Sequence, residues 1–119
     1  MSEDEKIVAL LQRVLDKTVK GELHWESTAN ASTYTVPFAR FSLTLEQVPE
    51  TRDTRSYILL RLSNDRGQVV EEFDEHKARR MGFEQAADLY DRARRTAMGL
   101  NSALDELLTE LDDSPQAKS

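Results

Sequence analysis

No cysteine occurs among the 119 residues, so disulfides, zinc–thiolate sites and thiol catalysis are excluded for this chain. Glycine is scarce as well, and its four positions (21, 67, 82 and 99) are too scattered to form a loop that cradles a phosphate. No apolar run approaches the length of a membrane span, and the acidic start of the chain lacks the apolar run of a signal peptide. We therefore expect a cytoplasmic protein.

Basic residues are outnumbered, with 16 against 22 acidic ones and a net charge of -6. Such a chain repels the phosphates of nucleic acids and anionic membranes on average, so we expect neither as a partner. An apolar content of 39% and a charged content of 32% predict one folded domain with a single core. We assign this domain to residues 1–112 and expect a disordered tail over 113–119, which has no large apolar residue.

Positive charge is concentrated in residues 76–100, which carry six bases and three acids. Asp88 precedes Arg92 by four positions, as Asp91 precedes Arg95, which is the spacing of ion pairs on an exposed helix. The stretch is therefore typical of a solvated helix face. The alternative is a contact with an acidic surface or a phosphate group. The candidate anion contacts are Lys77, Arg79, Arg80, Arg92 and Arg95.

The chain begins with a helical pattern and continues with strand patterns. Ser2 followed by Glu5 is a capping-box signature, and Gly21 stands where a helix usually ends. Beyond Gly21 the apolar period changes to two, which predicts strands, and Asn64–Gly67 predicts a hairpin. The pattern indicates an α+β fold with an N-terminal helix, an antiparallel meander of four to five strands and a long C-terminal helix.

The first strand is predicted at residues 23–26. There Trp25 shares the parity of Leu23 and should be core, whereas His24 should point outward.

Apolar residues change phase around Pro37. Val36 has one parity and Leu43 the other, so the chain must bulge or turn between them. Pro37 cannot donate to a strand ladder, which places this segment at a sheet edge or outside the sheet.

The C-terminal third carries the most regular pattern in the sequence. Apolar residues recur there at alternating four- and three-residue steps, the spacing of a helix that packs along another helix. They are Ala86, Tyr90, Ala93, Ala97, Leu100, Leu104, Leu107 and Leu111. We expect one helix from about Phe83 to Asp112, roughly 45 Å long, whereas a compact domain of this size is about 35 Å across. The helix should therefore overhang the sheet or bend, and Gly99 is the natural point for a bend.

The two halves of this helix differ in side-chain size. Small residues in the first half suit a helix that covers a sheet, and large ones in the second half suit contact with another chain. We predict a homodimer whose interface contains Leu100, Leu104, Leu107, Leu108 and Leu111.

Residues capable of chemistry do not converge on a motif. The densest acidic group lies beside His76, but its spacing matches no calcium-binding loop. No serine occupies the glycine-flanked turn of a nucleophile. We therefore predict that the protein is not an enzyme and that it has no cofactor and no metal.

Residues 17–26, Lys-Thr-Val-Lys-Gly-Glu-Leu-His-Trp-Glu, resemble a Lys-Thr-x-x-Gly-x-Leu-x-Trp-Glu stretch of small uncharacterised bacterial domains. In those domains the stretch ends a first helix and starts a sheet, which continues through a polar hairpin and a strand–turn–strand unit to a C-terminal helix. The resemblance implies a bacterial origin and this order of elements, and it implies no activity.

Two functional hypotheses follow. The first is a bacterial, non-enzymatic protein-interaction or regulatory module that self-associates through its C-terminal helix and also binds a protein partner. The alternative is a sensor domain that binds a small anionic ligand, such as a nucleotide, between the sheet and the helices.

Overall fold

The computed structural model describes residues 1–113. Its elements in chain order are α1 (Glu3–Val19), β1 (Glu26–Ser27), β2 (Thr33–Pro37), β3 (Phe41–Val48), β4 (Tyr57–Asn64), β5 (Val69–Asp74), α2 (Glu75–Met81), α3 (Ala86–Ala97) and α4 (Leu100–Asp113). The α+β class, the N-terminal helix and the meander are confirmed. The disordered tail was predicted to begin at residue 113, but this residue is the last one of α4. The rest of the predicted tail, residues 114–119, lies outside the described part of the chain.

Helix α1 begins and ends at the predicted signals. The amide of Glu5 donates to Oγ of Ser2 at 3.1 Å, and the amide of Ser2 donates back to the Glu5 carboxylate at 3.4 Å. At the other end Gly21 has φ +74° and the amide of Glu22 donates to the carbonyl of Lys17 at 2.9 Å. Both ends are therefore closed by local hydrogen bonds, as a capping box and a Schellman motif require.

The five strands form one antiparallel meander in the order β1-β2-β3-β4-β5. The chain reverses between β2 and β3, where the amide of Phe38 donates to the carbonyl of Phe41 at 2.7 Å. This turn resolves the change of phase, because Val36 pairs with Leu43 and both face the same side. The predicted hairpin between β4 and β5 is confirmed, with Gly67 at φ +78°.

The core lies between one face of the sheet and the helices. Its buried side chains from the sheet are Tyr34, Val36, Leu43, Leu45, Ile58, Leu60 and Phe73, and those from the helices and connections include Leu11, Val14, Trp25, Ala78, Phe83, Ala86, Leu89, Tyr90 and Ala93. The outer face of the sheet is polar. There Arg61 of β4 lies 2.8 Å from Glu72 of β5 and 3.6 Å from Glu46 of β3, which suits a face turned to solvent.

The first strand differs from its prediction. Trp25 is buried and His24 is exposed, as expected, but β1 contains only Glu26 and Ser27. The indole N–H of Trp25 donates to Oγ1 of Thr18 at 3.0 Å. This bond ties the preceding segment to α1 rather than to β2, so the chain joins the sheet edge only after Trp25.

The prediction of a single long C-terminal helix was wrong, because this part of the chain forms two helices. Helix α3 begins at Ala86 rather than near Phe83, and it ends where the amide of Met98 donates to the carbonyl of Arg94 at 2.9 Å. Gly99 follows with φ +71°, a left-handed conformation that ends a helix instead of bending it.

The sequence predicted that one long helix would overhang the sheet or bend; in the structure the separate helix α4 extends beyond the sheet. The molecule is 61 Å long, and its radius of gyration is 17.3 Å, against about 13.5 Å for a compact domain of this length. None of the helices within residues 1–113 combines the length and the apolar content that crossing a bilayer requires.

Candidate interaction surfaces

Helix α4 projects from the domain. In the described chain, α3 is the only element with which its backbone is in close contact, and every side chain from Leu100 to Asp112 is exposed. The large apolar side chains along it are exposed by 41% (Leu100), 47% (Leu104), 52% (Leu107), 59% (Leu108) and 59% (Leu111). We call these five side chains the leucine face.

The leucine face needs a partner on physical grounds. An isolated helix of 14 residues is marginal in water, because most helical stability in proteins comes from packing of an apolar face. The first half of the apolar pattern, on α3, already packs within the domain, since Ala86, Tyr90 and Ala93 are buried in the core. The leucine half is left in solvent.

Charge around the leucine face is of one sign. Residues 100–112 carry acidic side chains at Asp105, Glu106, Glu110 and Asp112 and no basic side chain. A surface that receives this helix is therefore expected to be apolar at its centre and basic at its rim.

A second exposed apolar surface lies where α1 meets the turn between β2 and β3. An open groove of about 300 Å³ is lined by Leu10 of α1, Phe38, Phe41 and Leu62. Phe38 is 41% exposed and Phe41 46% exposed, although Val36 and Leu43 of the same hairpin are buried. We call this surface the hairpin-end groove.

More basic than acidic side chains lie near the hairpin-end groove. Phe41 also borders a neighbouring concavity with Arg40, Asp65, Arg66 and Val70. On α1, Lys6 and Arg13 lie one turn to either side of Leu10. Within the described residues, these four bases form no ion pair: Lys6, Arg13, Arg40 and Arg66.

The sequence did not predict this groove. Phe41 has the same parity as the buried Leu43, and parity identifies the face of a strand but not how far a helix covers it. Only the folded structure shows that Leu43 is buried whereas Phe41 is left 46% exposed.

The candidate anion contacts are divided between two helices. Lys77, Arg79 and Arg80 are exposed on α2. On α3, Arg92 lies 3.1 Å from Asp88 and Arg95 lies 2.8 Å from Asp91, which confirms the predicted pairs four positions apart. Arg94 also lies 2.9 Å from Asp91, so Asp91 is shared by two arginines and the ion pairs of α3 leave one positive charge uncompensated.

An open cleft of about 590 Å³ lies between the end of α1 and the junction of α3 with α4. Lys20, His24 and Arg95 are its titratable lining residues. Lys20 lies 3.1 Å from Asp16, which raises the pKa of its ammonium group by hydrogen bonding and charge. The side chains between sheet and helices belong to the core, so this cleft lies beside those layers and not between them.

No cluster of residues that could hold a metal ion occurs in the described part of the chain. Comparison with known proteins found no matching protein-family model, no matching curated protein and no matching solved structure.

Proposed function

We propose that this protein is a non-enzymatic interaction and regulatory module that forms a homodimer through α4. The observation that carries the proposal is the leucine face, which is exposed along the whole of α4, whereas the alanine half of the same pattern is packed into the core. Contiguous exposed apolar surface of this kind usually marks a contact with another protein. In this proposal the protein is bacterial and cytoplasmic, and the resemblance of residues 17–26 supports the bacterial origin.

The size of the leucine face indicates a reversible dimer. A fully buried leucine contributes about 1.5–3 kcal/mol, so ten leucines that are already half-buried would contribute roughly 10 kcal/mol to a dimer. Association costs about 4–15 kcal/mol in lost freedom of motion. Because the two terms are similar in size, we expect the population of the dimer to depend on protein concentration.

The test is the solution mass over a hundredfold range of concentration, by size-exclusion chromatography with light scattering. The wild type should reach twice 13.6 kDa at high concentration. Leu104→Glu/Leu107→Glu should stay monomeric, because two carboxylates would have to be buried in the interface. The matched control is Ser102→Glu/Thr109→Glu, which adds the same charge at exposed positions of α4 outside the leucine face and should leave the dimer intact.

Two outcomes would contradict the proposal. If the wild type is monomeric at every concentration, α4 does not mediate self-association. If Leu104→Glu/Leu107→Glu loses the circular dichroism of the folded domain, the leucines belong to the core.

The alternative function is that of a sensor for a small anion, and the cleft lined by Lys20, His24 and Arg95 favours it. Native mass spectrometry of the purified protein and a thermal-shift panel of nucleotides test this alternative. A bound molecule or a stabilising nucleotide would support it. The absence of both a bound molecule and a stabilising nucleotide would contradict it.

A further inference from the structure

We propose that the hairpin-end groove of one copy receives the leucine face of α4 from a second copy. Two copies would exchange their α4 helices reciprocally, so that each dimer contains two such contacts. The inference rests on the proposed self-association and specifies the surface to which α4 binds.

The two surfaces match in polarity. The leucine face extends along about 20 Å of helix, and the groove exposes two phenylalanine rings beside Leu10 and Leu62. An amphipathic helix that lays its apolar face into an apolar groove is a common mode of recognition. Each surface is exposed in the isolated chain, and the contact would cover both together.

The two surfaces also match in charge. Arg40, Arg66 and the acidic Asp65 line the concavity next to the groove, and the acidic Glu71 is the cross-strand partner of Leu62. Lys6 and Arg13 lie one helical turn to either side of Leu10. Helix α4 carries four acids and no base over residues 100–112. Pairing of α4 with α4 would instead bring acids from both copies together without a basic neighbour.

Within residues 1–113, the leucine face does not contact the hairpin-end groove of its own chain. Helix α4 leaves α3 beside the end of α1, where Val19 and Lys20 share a cleft with Leu100. The groove lies near Leu10, nine residues or about 13 Å back along α1. Reciprocal exchange with a second copy satisfies both surfaces and closes the assembly at two chains, whereas a one-way contact would continue into longer chains.

The first experiment reverses the rim charges and measures the dissociation constant of the dimer at low salt. Arg40→Glu/Arg66→Glu should weaken the dimer about tenfold or more, because the rim would then repel α4. Adding Glu106→Lys/Glu110→Lys to the same chain should restore most of the affinity. The matched control, Arg52→Glu/Arg55→Glu, changes two exposed arginines in the β3–β4 loop at the opposite end of the sheet and should leave the affinity unchanged.

The second experiment mixes two defective variants. Phe38→Glu/Phe41→Glu lacks the groove and keeps α4, and Leu104→Glu/Leu107→Glu lacks the leucine face and keeps the groove. Each should be monomeric alone. When unlabelled Leu104→Glu/Leu107→Glu is added to ¹⁵N-labelled Phe38→Glu/Phe41→Glu, amide shifts should change within residues 100–113, because one contact can still form.

The outcomes separate this inference from the proposed function. A Phe38→Glu/Phe41→Glu variant that dimerises like the wild type would overturn the groove contact and leave self-association through α4 standing. Unchanged spectra in the mixture would overturn it as well. A wild type that is monomeric throughout would overturn both proposals.

Discussion

Two tyrosines pack where α3 crosses the start of β2. The rings of Tyr34 and Tyr90 meet edge to face, with centroids 5.6 Å apart. The hydroxyl of Tyr90 donates to the carbonyl of Ser32 at 2.8 Å. Burial is the main cause that raises the pKa of Tyr90 above 10.0, and the neighbouring Tyr34 adds to it. This tyrosine is therefore kept neutral in the folded state at a pH where the unfolded chain begins to ionise.

Replacing Tyr90 with phenylalanine should make this effect measurable. At pH 7 the variant should be about 1 kcal/mol less stable than the wild type, because the hydrogen bond is lost. The raised pKa means that the tyrosine stabilises the fold fully below pH 10 and loses this contribution as the pH rises through the folded-state pKa. The difference in free energy of unfolding should therefore shrink above pH 10.

Urea denaturation of both proteins from pH 7 to 11 measures that difference. Tyr57→Phe, at a half-buried tyrosine on β4, serves as the matched control for the alkaline sensitivity of the whole protein. A constant difference between Tyr90→Phe and the wild type across this range would contradict the prediction.

At the scale of elements, the break between α3 and α4 decides where the leucine face points. The amide of Gly99 donates to the carbonyl of Thr96 at 3.1 Å, and the carbonyl of Gly99 accepts from the amide of Ala103 at 2.9 Å. Gly99 therefore ends one helix and starts the next. A Cβ atom at this position would meet no atom within 4 Å, so only the backbone conformation requires glycine.

Gly99→Ala should merge the two helices. A left-handed alanine costs about 1–2 kcal/mol, whereas alanine is the best helix former, so the balance shifts toward one straight helix. Because the chain has no cysteine, spin labels can be placed at Ala87→Cys and Thr109→Cys, both at exposed positions. The distance between the labelled backbones should lengthen toward about 33 Å, the rise of 22 helical residues.

The control for this measurement is Asn101→Ala, at an exposed residue in the first turn of α4. It should leave the distance as in the wild type. An unchanged distance in Gly99→Ala would show that tertiary packing, and not the conformation of Gly99, holds the break.

At the scale of the whole molecule, the elongated shape arises because α3 packs on the sheet whereas α4 does not. The same apolar spacing runs through α3 and α4, but only α3 lies over the sheet. The domain is therefore elongated by a helix whose apolar side has no partner within the described chain. A second copy supplies the missing partner in both proposals.

Linkage of folding to assembly gives a prediction at this scale. The melting temperature of the wild type should rise with protein concentration, because a dimer that binds only folded chains stabilises them by mass action. Leu104→Glu/Leu107→Glu should melt at one temperature throughout. Fluorescence of Trp25, the single tryptophan, reports the transition from about 2 to 200 µM. A wild type without concentration dependence would argue against assembly through α4.

Local signals in the sequence determined the ends of α1, the β4–β5 turn and the apolar faces of the strands and helices. The caps of α1 and the turn at Asn64–Gly67 depend on hydrogen bonds and backbone angles of a few neighbouring residues, so they can be read without the rest of the chain. The alternating apolar residues determined the inner face of the sheet, and the spacing of leucines determined that one face of α4 is apolar. These features follow from the periods of strand and helix alone.

Only the tertiary structure decided which apolar side chains are buried by other elements and which stay exposed. Trp25 bonded to Thr18 of α1, which shortened the first strand to two residues. Gly99 could have stayed helical at a cost of about 1 kcal/mol, so the sequence allowed a bend as well as a break, and the φ of +71° that breaks the helix belongs to the folded chain. Phe41 and Leu43 are equivalent in sequence pattern, yet one is exposed and the other buried. The physical reason is that burial depends on which distant surfaces meet, and no local period contains that information.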